Sequence, residues 1–157
     1  TVYESIADKF KDNTLTSNFG EYYYLGKCIE RKSLKLLPKL GSYLDWIICG
    51  YGERPFFCIF SALGIIIIFS FLYLITGIDT DGRTILYTFS NMYTWNISKF
   101  IKDFNESLNL SVGMFAGVGI DNGKPTEIGY LVANLEMLIG IVLMGVGVGT
   151  LVRKVIR

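Results

Sequence analysis

Two long apolar runs dominate the pattern of this chain, one at positions 56–77 and one at 128–152. The first, from Phe56 to Gly77, carries no charged residue, and a helix that crosses a hydrocarbon core needs about 20 such positions. Pro55 ahead of it suits a first helical turn, where its missing N–H leaves no bond unmade. A cleavable leader is disfavoured, because the run is too long and lies far from the start of the chain. The second run holds Glu136 as its single charge and is closed by Arg153, Lys154 and Arg157. Its glycines, Gly140, Gly145, Gly147 and Gly149, are ordinary in a spanning helix that packs closely. Upstream, residues 1–54 are polar and amphipathic. Ile6 and Phe10 have helical spacing, Asp12-Asn13 and Asn18-Phe19-Gly20 predict turns, and 21–36 predicts a second helix. Residues 42–49, with Tyr43 and Trp46, predict a helix lying along the cytoplasmic face of a membrane, or a connector folded against another domain.

Between the two runs, residues 111–125 carry Gly113, Gly117, Gly119 and Gly123 and are too short for a third span. Backbone that is neither helix nor closed barrel survives at membrane depth only where it lines water or is buried in protein. A glycine-rich loop re-entering between two spans is how ion-conducting filters are built. Ahead of it, Phe104, Leu108, Leu110 and Met114 recur at helical spacing, which predicts a pore helix over about 102–114. The C-terminal end of such a helix bears partial negative charge and favours a cation. Positions 117–121 (Gly117, Val118, Gly119, Ile120 and Asp121) then present successive carbonyl oxygens, because glycine admits conformations that other residues resist. The predicted fold is an all-α membrane protein: an N-terminal region over 1–54, then a pore domain over 55–157 with two transmembrane helices and a re-entrant pore helix and filter. One copy supplies one filter strand, so a closed pore requires an oligomer.

Composition narrows the function classes. The chain has 157 residues, 51% hydrophobic and 15% aromatic, with a mean hydropathy of +0.41, values high for a soluble domain. A net charge of +1 gives no basic field for nucleic acid. Histidine is absent, which removes Ser-His and Cys-His nucleophiles and His-ligated metals. No enzyme chemistry and no cofactor are expected. Cys28, Cys49 and Cys58 lack CxxC spacing and read as reduced thiols. Basic residues concentrate before the first span (Lys27, Arg31, Lys32, Lys35, Lys39, Arg54) and after the second, whereas the intervening loop is richer in acids. The positive-inside rule therefore places both termini in the cytoplasm of a multi-pass cell-membrane protein, with lipids as its surroundings. The chain starts at Thr1 rather than Met, so it is expected to be one portion of a longer protein. No arginine-rich voltage sensor appears, and a regulatory module beyond the short N-terminal region would be another domain or chain outside this sequence. Three Asn-x-Ser triplets, at Asn96, Asn105 and Asn109, match glycosylation acceptors; the last two fall in the predicted pore helix, and all three read as chance.

Ser111-Val112, Phe115, Val118-Gly119 and Pro125 fall, without gaps, on the pore-loop pattern SVTTFTTVGYGDxxP of two-span potassium channels, which this segment resembles. The run Leu135-Glu-Met-Leu-Ile-Gly140-Ile is similar to the inner helix of that family, and Gly50-Tyr-Gly-Glu-Arg-Pro55 to the entry motif of bacterial ion-channel proteins. The resemblance covers about residues 44–157 and implies a homotetramer that passes cations, with potassium favoured. It puts Gly140 at a gating-hinge position; a small residue permitting close packing is the other reading. Glu136, a charge inside a span and so functional by default, resembles the filter supports of the family. The filter departs from the pattern: Gly117 replaces the threonine, Ile120 the tyrosine, and Asp121 the outer glycine. An Asp121 ring at the mouth would concentrate cations and could bind a divalent ion. A nonselective or calcium-permeable channel, passing sodium or calcium, is therefore the alternative, and a non-conducting membrane sensor or anchor is a third reading.

Overall fold

The computed structural model describes residues 2–12, 16–80, 82–88, 96–119 and 123–156. Six α-helices carry most of the described chain: α1 (Val2–Asp12), α2 (Thr16–Ser33), α3 (Leu36–Cys49), α4 (Pro55–Thr76), α5 (Ile97–Phe115) and α6 (Gly129–Ile156). Three short strands, β1 (Ile78–Thr80), β2 (Arg83–Ile85) and β3 (Lys124–Pro125), form one antiparallel sheet in the order β2-β1-β3. The chain is thus mostly helical rather than wholly so. It divides into two compact units, residues 1–61 with 145–157, and residues 62–144.

In the first unit, α1 and α2 pair through a Phe10–Tyr22 ring stack at 5.1 Å and the buried Ala7. The predicted turn at Asn18-Phe19-Gly20 is instead helical and part of α2, where Phe19 stacks on Tyr23 at 5.9 Å. Weak local turn preference yields there to packing on a helix face. Lys27 bonds Glu30 at 2.7 Å one turn away, and that bond holds its ammonium above the usual lysine value. The third helix turns an aliphatic stripe outward, Leu36, Leu37, Leu40, Leu44 and Ile47, with none of its residues buried. Its other side meets α2, where Trp46 Nε1 donates to Tyr24 Oη at 2.8 Å.

Gly50 ends α3 in the left-handed conformation, its N–H returning to the Asp45 and Trp46 carbonyls, the usual device for satisfying the last turn of a helix. Tyr51 follows at φ 58°, a conformation that costs a non-glycine residue about 1–2 kcal/mol. A hydrogen bond of 2.8 Å between the Ser42 and Tyr51 hydroxyls holds it there. The Gly50–Arg54 motif is therefore an elbow that delivers the chain into α4. Burial pushes the Cys49 thiol beside it above its ordinary value. Cys58 is buried next to Thr150, and all three cysteines are free thiols.

The second unit builds its core from Tyr73, Leu74, Ile78, Ile85, Leu110 and Ala133, flanked by Phe69, Tyr87, Phe100 and Phe104. In the sheet, β1 and β2 pair in the register Ile78↔Ile85, Asp79↔Thr84 and Thr80↔Arg83, and Gly82 takes φ 83°. Pairing of Ile78 with Pro125 brings β3 alongside β1. Thr126 then ties the ends of the two long helices together: its hydroxyl donates to the Thr76 carbonyl at 2.7 Å, and its N–H to that of Gly77 at 3.3 Å.

Two helices, Pro55–Thr76 and Gly129–Val155, are long and apolar enough to cross a membrane, and 22% of each apolar window is buried. A core helix of a soluble protein would be largely covered. Here Phe56, Phe60, Leu63, Ile68, Leu131 and Leu138 are all exposed.

Candidate functional site

The helix α5 begins at Ile97, earlier than the spacing predicts, because Asn96 caps it: the Asn96 side chain accepts from the Ser98 N–H at 3.0 Å. The Asn-x-Ser triplet at 96 is thus a capping signal, in which a short side chain satisfies an orphan N–H of the first turn. One face of the helix is polar yet buried, with Asp103, Ser107 and Ser111 all fully covered. Asp103 accepts from Tyr87 Oη at 2.7 Å and lies 3.7 Å from Arg83. Arg83 also pairs with Glu106. Desolvation, with the bond to Asp103, pushes the Tyr87 phenol up to about 12.

Deeper along α5, Ser111 and Glu136 meet. The Glu136 side chain is wholly buried in α6; Oε2 accepts from Tyr73 Oη at 2.6 Å and Oε1 contacts Ser111 Oγ. Ser111 Oγ also reaches the Ile66 carbonyl at 2.9 Å. With a single hydrogen it donates to one of these oxygens at a time. The Ile66 carbonyl takes Ser70 Oγ as well, at 2.7 Å. This cluster joins α4, α5 and α6 and gives each carboxyl oxygen of Glu136 a hydroxyl within hydrogen-bonding reach, the condition for tolerating a buried carboxyl. Neither Tyr73 nor Ser70 is marked by any motif; they are aromatic and small polar positions inside an apolar run, and only the fold puts them beside Glu136.

The end of α5 presses on Gly140. A Cβ at that position would lie 2.2 Å from the Phe115 carbonyl oxygen, so only hydrogen fits there. Gly140 is a close-packing glycine in this arrangement. Beyond Phe115 the chain folds back on the helix end: Gly117 N–H donates to the Met114 carbonyl, and the Val118 and Gly119 N–H groups both reach that of Gly113, at 3.0–3.1 Å. Gly117 and Gly119 take φ of 72° and 73°, left-handed, and among the described residues no atom beyond the adjoining positions lies within 4 Å of either missing side chain. Val118 between them is 84% exposed. Among the described residues, no backbone donor pairs with the carbonyls of 117–119. Ile120 and Asp121, the outer two positions of the predicted filter, lie outside the described residues. So do the aromatics Phe89, Tyr93 and Trp95, which precede α5 in the sequence. Among the described residues no group of three or more potential ligands could hold a metal ion.

These features define a mostly helical chain with two helices able to span a membrane and a further helix, α5, packed against both, that ends in a glycine turn. No protein-family pattern, curated protein or solved structure matches it.

Proposed function

We propose that this chain is a subunit of a passive cation channel, a homotetramer around a shared axis onto which residues 117–121 turn their carbonyl oxygens. The observation that carries this reading is the turn after α5. Two left-handed glycines flank Val118, and their N–H groups are held by the helix end. Carbonyls without backbone partners are what a permeating ion needs in exchange for its water. The C-terminal dipole of α5 adds negative potential at that point. The exposed apolar surfaces of α4 and α6 suit lipid and neighbouring copies. Likeness of Ser111–Pro125 to the potassium-channel pore loop adds to this, with Glu136 holding the pore helix against both spans.

A weakly selective cation channel is the second reading, and Gly117 favours it. The family's threonine, whose hydroxyl lines the inner site, is absent, and the backbone there is left-handed. Purified protein reconstituted into liposomes and planar bilayers, under bi-ionic gradients of potassium, sodium and calcium, tests both readings. Cation currents with a reversal potential closer to that of potassium than to that of sodium are expected, and a reversal that does not separate the two favours the second reading. A reversal tracking potassium alone removes the second reading. No flux at any voltage leaves the chain as a membrane sensor or anchor and removes both.

A further inference from the structure

Within the first unit, a cavity of about 710 Å³ opens between α2, α3 and the end of α6, with Lys27, Arg31 and Arg153 in its wall. Arg31 is held rather than mobile. Its guanidinium stacks over Tyr43 at 4.4 Å and Trp46 at 4.8 Å from the ring centroids, and Nη1 is buried with no hydrogen-bond partner among the described residues. A buried, unpaired guanidinium nitrogen is costly and is rarely left so unless something else satisfies it. Glu30 and Asp45 also line the cavity. Glu30 is engaged by Lys27 at 2.7 Å, and an ammonium with three hydrogens keeps donors for a second acceptor. The aliphatic stripe of α3 faces outward beside this wall, as a helix lying at the level of lipid headgroups does.

We propose that this cavity is an anion site that takes a phosphate group, with Arg31 at its centre and Lys27 and Arg153 beside it. The planar fork of arginine matches phosphate oxygens two at a time, and a cavity of this size holds a headgroup as well as the phosphate. The leucine stripe makes an anionic lipid the expected source, and a soluble phosphate compound the other. The lipid source rests on the two-span reading, whereas conduction plays no part in it.

The test is binding, read without ion flux, so that it stands or falls apart from the channel proposal. Trp46 reports locally once Trp95, the other of the two tryptophans, is replaced by Trp95→Phe. Full-length protein in nanodiscs is titrated with phosphatidylglycerol in phosphatidylcholine, and in detergent with inorganic phosphate and inositol hexakisphosphate. A saturable change in Trp46 emission with phosphatidylglycerol is expected, weakened at least about tenfold by Arg31→Gln, which is about 1.4 kcal/mol. Equal saturation by the soluble phosphates in detergent keeps the phosphate site and assigns its source to solution. An equal response to phosphatidylcholine alone, or undiminished affinity in Arg31→Gln, overturns the proposal. Should Arg31→Gln fail to fold, the double variant Lys27→Gln/Arg153→Gln is measured, and wild-type affinity there overturns it too. A neighbouring copy's side chain filling the cavity in a solved assembly would have the same consequence.

Discussion

Gly140→Ala separates two roles for one residue, because they predict changes of opposite sign. In a helix interior, alanine is more favourable than glycine by about 1 kcal/mol. If Gly140 served only as a flexible point, the substitution would stabilise the protein and merely stiffen α6. The structure dictates otherwise. The added carbon would lie 2.2 Å from the Phe115 carbonyl oxygen, 3.0 Å from its carbon and 3.2 Å from its Cα. Carbon and oxygen settle at about 3.3–3.6 Å, so α5 and α6 must separate by roughly 1 Å. Overpacking of that kind costs typically 1–3 kcal/mol, which offsets or exceeds the propensity gain.

Thermal unfolding in detergent, followed by circular dichroism, is the assay, with Gly145→Ala as the control. Among the described residues, no atom outside the helix's own nearby backbone lies within 4 Å of a Cβ at Gly145, so that variant is expected to match or exceed the wild type. Gly140→Ala is expected to melt lower than both. The opposing groups are main chain, so Phe115→Leu in the same background should give no rescue. A Gly140→Ala protein as stable as Gly145→Ala would refute the close-packing role and leave the hinge as the reason for this glycine.

Two further outcomes follow from the same geometry, and a third, at Asp121, from the sequence. Glu136→Leu strands the buried Tyr73 hydroxyl and should lose about 1–3 kcal/mol, whereas Glu136→Gln retains an acceptor and a donor and should lose less; equal melting of the two would argue against the network. In an ultraviolet titration, Tyr87→Phe should remove a phenol that ionises at about 12 rather than 10.0. Its bond to Asp103 stabilises the fold fully below pH 10 and is lost as pH climbs through 12, because the folded value is the raised one; a missing phenol titrating near 10 contradicts this. Asp121→Asn should reduce block or permeation by calcium in single-channel records, and unchanged calcium sensitivity would remove the mouth site.

The two apolar helices were legible because a long run with no charge, or with one, signals a candidate span without reference to any partner. The turn after α5 was legible for a similar reason: closely spaced glycines in a short segment predict unusual backbone, and Gly117 and Gly119 have it. The sheet was not foreseen. Its strands are two or three residues long, too short for alternation to register, although Asp81-Gly82 is a pair favoured in tight hairpins. Least legible was whatever depends on distant positions. Glu136 stands out as a charge in a span, yet its partner Tyr73 lies 63 positions earlier, and the need for glycine at 140 arises from a carbonyl on another helix.

Gly117 is where the family resemblance and the physics of this chain part. The pattern it resembles has threonine there, and a simple comparison counts one lost hydroxyl per subunit. The backbone adds a second consideration. At φ 72° a β-branched residue is a genuine steric outlier, because its Cβ meets the adjoining peptide whatever the surrounding space. Among the described residues, no atom beyond the adjoining positions lies within 4 Å of a Cβ at 117, so the obstacle is the conformation itself, at about 1–2 kcal/mol. Gly117→Thr should therefore force the turn to another conformation and pull the Val118 and Gly119 N–H groups from the Gly113 carbonyl. Lower conductance or poorer assembly, with no gain in potassium preference, is the expected result in bi-ionic recordings. A reversal potential that moved cleanly to that of potassium at normal conductance would mean that the position accepts threonine, and that the left-handed turn does not describe the conducting loop.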